Sequence, residues 1–368
     1  MGKKRIVIKI GSHLLANEDG FINYSIIENI VNDISQLHKQ GHNIIIVSSG
    51  AIASGIVCLK LEQKPKTLPE KQAIAAVGQP ILMQIYQKEF SQYNIKVAQL
   101  LLTREDFEDR NRYLNIRNTV SCLLNLGIIP IINENDTISV EEIKFGDNDT
   151  LSALVASKID ADLLVLLTDV EGLFDDDPNK NKNAKLITNI KEITSEIEAI
   201  AKKTAGSILG TGGMYSKIQA AKIATSSGVE VVIADGRKSK ILEKILNGEE
   251  VGTRFFASQA FLTARKRWIA FGSRVKGKIK IDNGAVDALL KKGKSLLPSG
   301  IISVEGNFNS GDTVEILDIS GSSIARGLVN YSSEEINKIK GKKTSEISKI
   351  LGKCDFEEVI HRDNLALL

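Results

Sequence analysis

Over roughly the first 250 residues, short continuous runs of β-branched and other apolar residues alternate with longer segments whose apolar residues recur every three or four positions. The opening run Arg5–Ile10 stops at Gly11-Ser12, as a buried strand feeding a loop does. Ile26, Ile27, Ile30, Val31, Ile34 and Leu37 then mark one buried helix face, and Gly41 closes it. The same reading predicts strands at 43–47, 96–102, 128–133, 163–168 and 230–235. Helices are predicted at 71–93, 113–126, from Asp149 onward, and at 215–227. Continuous apolar strands between amphipathic helices make a parallel sheet covered on both faces, the mark of an α/β domain.

After Gly252 the rhythm changes. The cluster Ala264-Arg265-Lys266-Arg267-Trp268 is followed by short strands at 277–281, 300–304 and 313–317, with Gly306, Gly311 and Gly321 at turns. A chain of 368 residues has room for two domains. Charge divides along the same line. Residues 251–368 carry 19 Lys and Arg against 13 Asp and Glu, a balance of +6 that leaves −3 for the remainder of a chain whose total is +3. A near-neutral total gives no sign of a nucleic-acid or membrane partner, and the tail offers few aromatics for base stacking. Cys58, Cys122 and Cys354 are too dispersed for a disulfide framework or zinc site, and a reducing cytoplasm suits them. Lys9 interrupts the N-terminal apolar run, so no signal peptide is expected, and no apolar stretch of about 18 residues is present to span a membrane.

Ligands of such sheets bind beyond the carboxyl ends of the strands, and four loops there stand out. Lys9-Ile10-Gly11-Ser12 ends a strand with a lysine and a glycine that lets backbone approach a ligand. Ser48-Ser49-Gly50-Ala51 is a strand-to-helix turn whose small residues suit either an anion at a helix N-terminus or tight packing. Asn133-Glu134-Asn135-Asp136 and Gly146-Asp147-Asn148-Asp149 supply carboxylates and amides for an ammonium group or a metal-bound phosphate. One of Asp147 and Asn148 could equally be a helix cap. Gly210-Thr211-Gly212-Gly213-Met214 precedes Ser216-Lys217 at a helix start, a phosphate cradle without the Walker spacing.

No Gly-x-Gly-x-x-Gly follows the first strand, and His13, His38, His42 and His361 form no metal or nucleophile pattern. Two lysines, several aspartates and anion-binding loops remain, which is the inventory of phosphoryl transfer.

Taken in order, IVIKIG (6–11), VSSGAIASG (47–55), IINEND (131–136), FGDNDTLSA (145–153), LTDVEGLF (167–174) and GTGGMYSK (210–217) resemble the amino-acid kinase family, in its glutamate-phosphorylating branch. The tail from ARKRWIAFG (264–272) onward resembles a PUA domain. The resemblance implies a three-layer αβα sandwich with a mainly parallel sheet, followed by a small β-rich PUA-like domain. The expected divisions are a catalytic domain 1–255, a linker 256–274, a PUA-like domain 275–356 and a tail 357–368.

It further implies transfer of the ATP γ-phosphoryl group to the side-chain carboxylate of L-glutamate, the first step of proline biosynthesis, with proline as feedback inhibitor. On this view Lys9 and Lys217 place charge on the transferring group, and Asp149 holds both lysines rather than acting as a base, since a carboxylate nucleophile arrives ionised. Ser49, Gly50 and Ala51 seat the reacting carboxylate. Asp136, Asp147 and Asn148, with Asn133, take the α-amino group. Gly11, Thr168, Asp169, Thr211, Gly212, Gly213, Met214, Tyr215 and Ser216, together with both lysines, contact the nucleotide. Mg²⁺ is expected on the ATP phosphates, with no protein cage. Determinants of proline inhibition are expected in loops at 64–70 and 103–117, and assembly as a homodimer or homotetramer follows from the resemblance. The alternatives are a related acid acceptor, such as N-acetylglutamate or aspartate, and RNA binding through the tail.

Overall fold

A computed structural model describes residues 2–15, 23–139, 148–178, 180–204, 213–257, 266, 268–352 and 356–368, without the side chains of Arg110 and Asn111. The chain forms two compact units, Met1–Phe261 and Leu262–Leu368.

The first unit is built on an eight-stranded sheet. Its strands are β1 (Arg5–Ile10), β2 (Asn43–Ser48), β3 (Val97–Leu102), β4 (Ile129–Glu134), β5 (Leu163–Thr168), β6 (Asn189–Ile190), β7 (Glu230–Asp235) and β8 (Thr253–Phe255), in the order β3-β4-β2-β1-β5-β7-β8-β6. All neighbouring pairs are parallel except β7 with β8. The helices of this unit used below are α1 (Ser12–Leu15), α2 (Tyr24–Lys39), α3 (Ala51–Leu59), α4 (Leu68–Ser91), α5 (Arg104–Glu108), α6 (Arg110–Asn125), α7 (Asn148–Lys158), α8 (Ser195–Thr204), α9 (Met214–Thr225) and α10 (Ile241–Leu246).

Because strand side chains alternate between faces, β1 sends Ile6, Ile8 and Ile10 into a core with the apolar faces of α2, α4 and α10, and Val7 and Lys9 to the opposite face. There α7 packs against β1 and β5, and α9 packs on β7 and α7. Helices on both faces of a mostly parallel sheet make the expected three layers.

Two local features depart from expectation. The 64–70 stretch runs into α4, which begins at Leu68 behind a capping box of Thr67 and Glu70 and with a proline in its first turn. The 103–117 stretch is not a loop either, since α5 and α6 occupy most of it. Helix α4 lies unusually close to α3. A Cβ on Gly78 would sit 1.8 Å from the Ala51 carbonyl oxygen, and one on Gly55 would sit 2.2 Å from that of Ile74. Only glycine permits that approach, which seats α4 against the strand-to-helix turn that opens α3.

The second unit carries a five-stranded sheet ordered β10-β9-β11-β12-β13, from β9 (Val275–Ile281), β10 (Ile301–Gly306), β11 (Thr313–Leu317), β12 (Ser323–Leu328) and β13 (Leu365–Leu367). Only β9 with β11 is parallel. Ile279, Ile281, Val314, Ile316 and Ala325 fill its core with Ile336 and Ile339 of the helix Ser333–Ile339. The end of the chain is not a separate tail: Leu365–Leu367 pairs with β12 as an edge strand of this sheet. Its three residues are too few to show a strand pattern in the sequence.

Candidate active site

Parallel β1, β2, β4 and β5 end together, and the loops beyond them gather most of the expected residues. Lys9 lies next to the end of β1 on the face under α7 and is 4% exposed. Asp149, in the first turn of α7, is fully buried, and Lys217, in the first turn of α9, is 4% exposed. The carboxylate of Asp149 joins the two lysines: Oδ1 pairs with Lys9 Nζ, and Oδ2 lies 3.2 Å from Lys217 Nζ. Ser216 Oγ donates to the same Oδ2 at 3.0 Å and lies 2.8 Å from the Gly213 carbonyl, which ties the start of α9 to that of α7.

Burial alone would push the Asp149 carboxyl up. The ammonium groups of Lys9 and Lys217 outweigh it and hold the group below the ordinary carboxylate range. Asp149 is therefore an ionised clamp between two cations, unsuited to take up a proton near neutrality.

A second cluster adjoins the first through consecutive residues of α7. Asn148 Nδ2 lies 3.0 Å from the Ser48 carbonyl oxygen, 2.9 Å from Ser49 Oγ and 3.0 Å from Asn133 Oδ1. Gly50, at φ 105°, turns the chain into α3 in a conformation glycine adopts freely, and Ala51 opens the helix. The N-termini of α3, α7 and α9 thus meet at one edge of the sheet, where orphan N–H groups and helix dipoles favour an anion. Asp136 is half-buried in the turn after β4.

On the β5 side, Gly11 N donates to the Leu167 carbonyl at 3.1 Å, which sets Gly11 against the end of β5, where Thr168 Oγ1 donates to Asp169 Oδ1 at 3.1 Å. Met214 begins α9 half-buried, and the ring of Tyr215 lies 5.0 Å from Lys202 Nζ of α8. Asp147, Thr211 and Gly212, each expected in the site, lie outside the described residues. Among the described residues no cluster of three His, Cys, Asp or Glu side chains is placed to hold a metal.

Several participants were not foreseen. Gln79 and Tyr86 reach the site from α4: Gln79 Oε1 accepts from Asn133 Nδ2 at 2.9 Å, and Tyr86 OH lies 2.8 Å from Ser48 Oγ. Burial drives the Tyr86 hydroxyl well above its ordinary pKa, so it stays protonated. Arg237 grips both oxygens of Asp235, at 2.9 and 2.8 Å, and donates to the Asp169 carbonyl at 2.5 Å. Burial opposes ionisation of Asp235, but these bonds hold it below the usual range. Tyr86 and Gln79 lie on the buried side of a long helix, a side that the sequence of that helix does not mark. Arg237 had no sequence signal beyond its position after a strand.

Residues 4–235 match the amino acid kinase family, and residues 277–351 match the PUA domain. The chain is 54% identical to the glutamate 5-kinase of Caldanaerobacter subterraneus subsp. tengcongensis and 52% identical to that of Thermoanaerobacter pseudethanolicus, each over 99% of this chain and 98% of the relative. The carbamate kinase of Giardia lamblia bound to AMP-PNP shares the fold at 20% identity, with a TM-score of 0.50 over 70% of this chain and 99% of that one. The first unit contains the Lys9–Asp149–Lys217 cluster, and the second contains the sheet of the PUA match: the chain is a phosphotransferase that belongs to the amino acid kinase family and carries a PUA domain.

Proposed function

We propose that this kinase transfers the γ-phosphoryl group of ATP to the side-chain carboxylate of L-glutamate, forming L-glutamyl 5-phosphate in the first step of proline biosynthesis. The observation that carries the reading is the pair of buried lysines held on Asp149 beside the Asn148–Ser49 contact. Identity above 50% to named glutamate 5-kinases along nearly the whole chain supports it.

Lys9 and Lys217 lie against the transferring phosphoryl and offset the charge that spreads over its oxygens in the transition state. Asp149 keeps their ammonium groups in register. The acceptor carboxylate sits over Ser49 and the amides of Gly50 and Ala51, already ionised, so attack needs no general base. Asp136, Asn148, Asn133 and Asp147 receive the α-ammonium group. Gly11, Thr168, Asp169 and the 211–217 segment receive the nucleotide. Negative charge on the ATP phosphates would be offset in part by a Mg²⁺ ion when one is bound. The donor set fits an ion carried by those phosphates, because the central buried carboxylate is already bracketed by two ammonium groups.

Hydroxamate formation from ATP and glutamate by the purified protein is the direct test, with Lys217→Ala as the variant; full activity in that variant rejects the lysine's role. Robust turnover of N-acetylglutamate would reject the ammonium subsite. Proline feedback, cytoplasmic location and a homodimeric or homotetrameric state complete the proposal. Inhibition by added proline and a light-scattering mass check the first and the last.

A further inference from the structure

Helix α4 presents two glutamines, seven residues and so about two turns apart, to the end of β4 and the segment that follows it. Gln79 Oε1 accepts from Asn133 Nδ2 at 2.9 Å, and Gln72 Nε2 donates to the Ser139 carbonyl at 3.1 Å. Glu134, itself buried, accepts from Ser139 Oγ at 2.7 Å. Both ends of the 133–139 segment, with Asp136 between them, are thereby fastened to one rigid helix.

The amides of this chain have a polarity that backbone groups dictate. The Glu134 N–H can only donate, so the Asn133 atom 2.9 Å from it is the oxygen, and the Asn133 nitrogen falls to Gln79. The Ser48 carbonyl can only accept, so the Asn148 atom 3.0 Å from it is the nitrogen. That nitrogen is also within 3.0 Å of Ser49 Oγ and Asn133 Oδ1. Its two N–H bonds are shared among three acceptors inside the protein, which leaves Oδ1 as the Asn148 amide atom for a ligand. An acceptor suits an ammonium group and repels a carboxylate.

We propose that Gln79 is a positioning residue that sets the preference of this site for acids bearing an α-ammonium group. By taking up the Asn133 N–H, it acts with the Glu134 N–H to hold the Asn133 oxygen on Asn148, and that contact, with the Ser48 carbonyl, leaves the Asn148 oxygen to the substrate. Without that acceptor the Asn133 nitrogen is a buried donor lacking its partner, and the amide turns to seek another. The inference rests on the reading of glutamate as the acceptor.

The test uses the full chain, Gln79→Met and Gln79→Glu, with glutamate as substrate and glutarate, the same diacid without the amine, as competitive inhibitor. Methionine keeps the length and loses the acceptor; glutamate keeps the acceptor. In Gln79→Met the KM for glutamate should rise roughly three- to tenfold, the loss of one neutral hydrogen bond, while the glutarate Ki and the KM for ATP stay within about twofold. Gln79→Glu should retain the preference for glutamate over glutarate. Equal weakening of both acids in Gln79→Met, an unchanged KM for glutamate, or loss of the preference in Gln79→Glu would each overturn the proposal. Should Gln79→Met melt below the assay temperature, the two acids are compared in it at a temperature below its melting point, where the same outcomes decide. A wild-type protein that does not phosphorylate glutamate overturns the functional reading itself, a result separate from any behaviour of the variants.

Discussion

Asp149→Asn keeps the shape of the side chain and can keep its bond from Ser216, but it removes the charge between Lys9 and Lys217. At 3.2 Å and an effective dielectric of about 20, the attraction of Asp149 for Lys217 alone is about 5 kcal/mol. Desolvation of the three groups offsets much of this, and removing one partner from a buried pair typically costs about 3–5 kcal/mol. A domain of this size has a total stability of roughly 5–15 kcal/mol, so the melting temperature should fall by about 10 °C. The sign with pH follows from the lowered Asp149 pKa. Its contribution is present above the unfolded value of 3.8 and is lost as pH falls through the lower folded value, so the variant should lack that acid-sensitive part of the stability curve. Turnover should drop about a hundredfold or more, because the two cations lose their common anchor. Tripolyphosphate, whose charge would replace the missing carboxylate, should raise the variant's melting temperature more than the wild type's. Calorimetry with and without tripolyphosphate, beside hydroxamate kinetics, measures all of this. A variant that melts within 2 °C of wild type (a shift of under about 1 kcal/mol) and turns over within about threefold (under about 0.7 kcal/mol) would refute the clamp.

Three further outcomes can be checked independently. Gly78→Ala puts a methyl group 1.8 Å from the Ala51 carbonyl, so α3 must move; stability should fall by about 3 kcal/mol, and the KM for the acid should rise because Ser49–Ala51 moves with the helix. Tyr86→Phe removes a buried hydroxyl bonded to Ser48 and should cost about 1 kcal/mol in a urea titration, with turnover nearly retained. Asp33 on α2 receives the Leu242 and Ile241 N–H groups, yet burial pushes its pKa to about 6. A raised carboxyl pKa means that its stabilising contribution is complete below 3.8 and disappears as pH rises through about 6. Asp33→Asn should therefore remove that slope and gain roughly 1 kcal/mol at pH 8, less than the full shift implies because the group is partly solvated.

The runs Arg5–Ile10, Leu163–Thr168 and Glu230–Asp235 were readable to the residue because a strand buried on both faces is nearly all apolar between its ends, Lys9 being the one exception among the three. Shorter or shared elements were not. Thr253–Phe255 and Leu365–Leu367 are three residues each, and pairing with strands more than ten residues away decides that they are strands at all. The 103–117 stretch showed only part of its helices: the helix read at 113–126 is most of α6, whereas α5 and the first residues of α6 went unread, and among the described side chains of α6 only Val120 is fully buried.

The site divides in the same way, according to where each residue's constraint originates. Lys9, Asn133 and Thr168 stand at or next to the carboxyl ends of strands, and Asn148, Asp149 and Lys217 open helices; charge or amide at those places is chemically conspicuous in one dimension. Gln79 and Tyr86 lie within a helix whose other residues read as ordinary packing, and their partners Asn133 and Ser48 are 54 and 38 positions away. Nothing local distinguishes such a glutamine from one turned to water. What brings it to the site is the contact of α4 with α3 through Gly55 and Gly78, two helix glycines whose need is set by the carbonyls opposite them. A charged group that meets a ligand is therefore visible in sequence, whereas a neutral group that orients it becomes visible only when the packing of the helices is known.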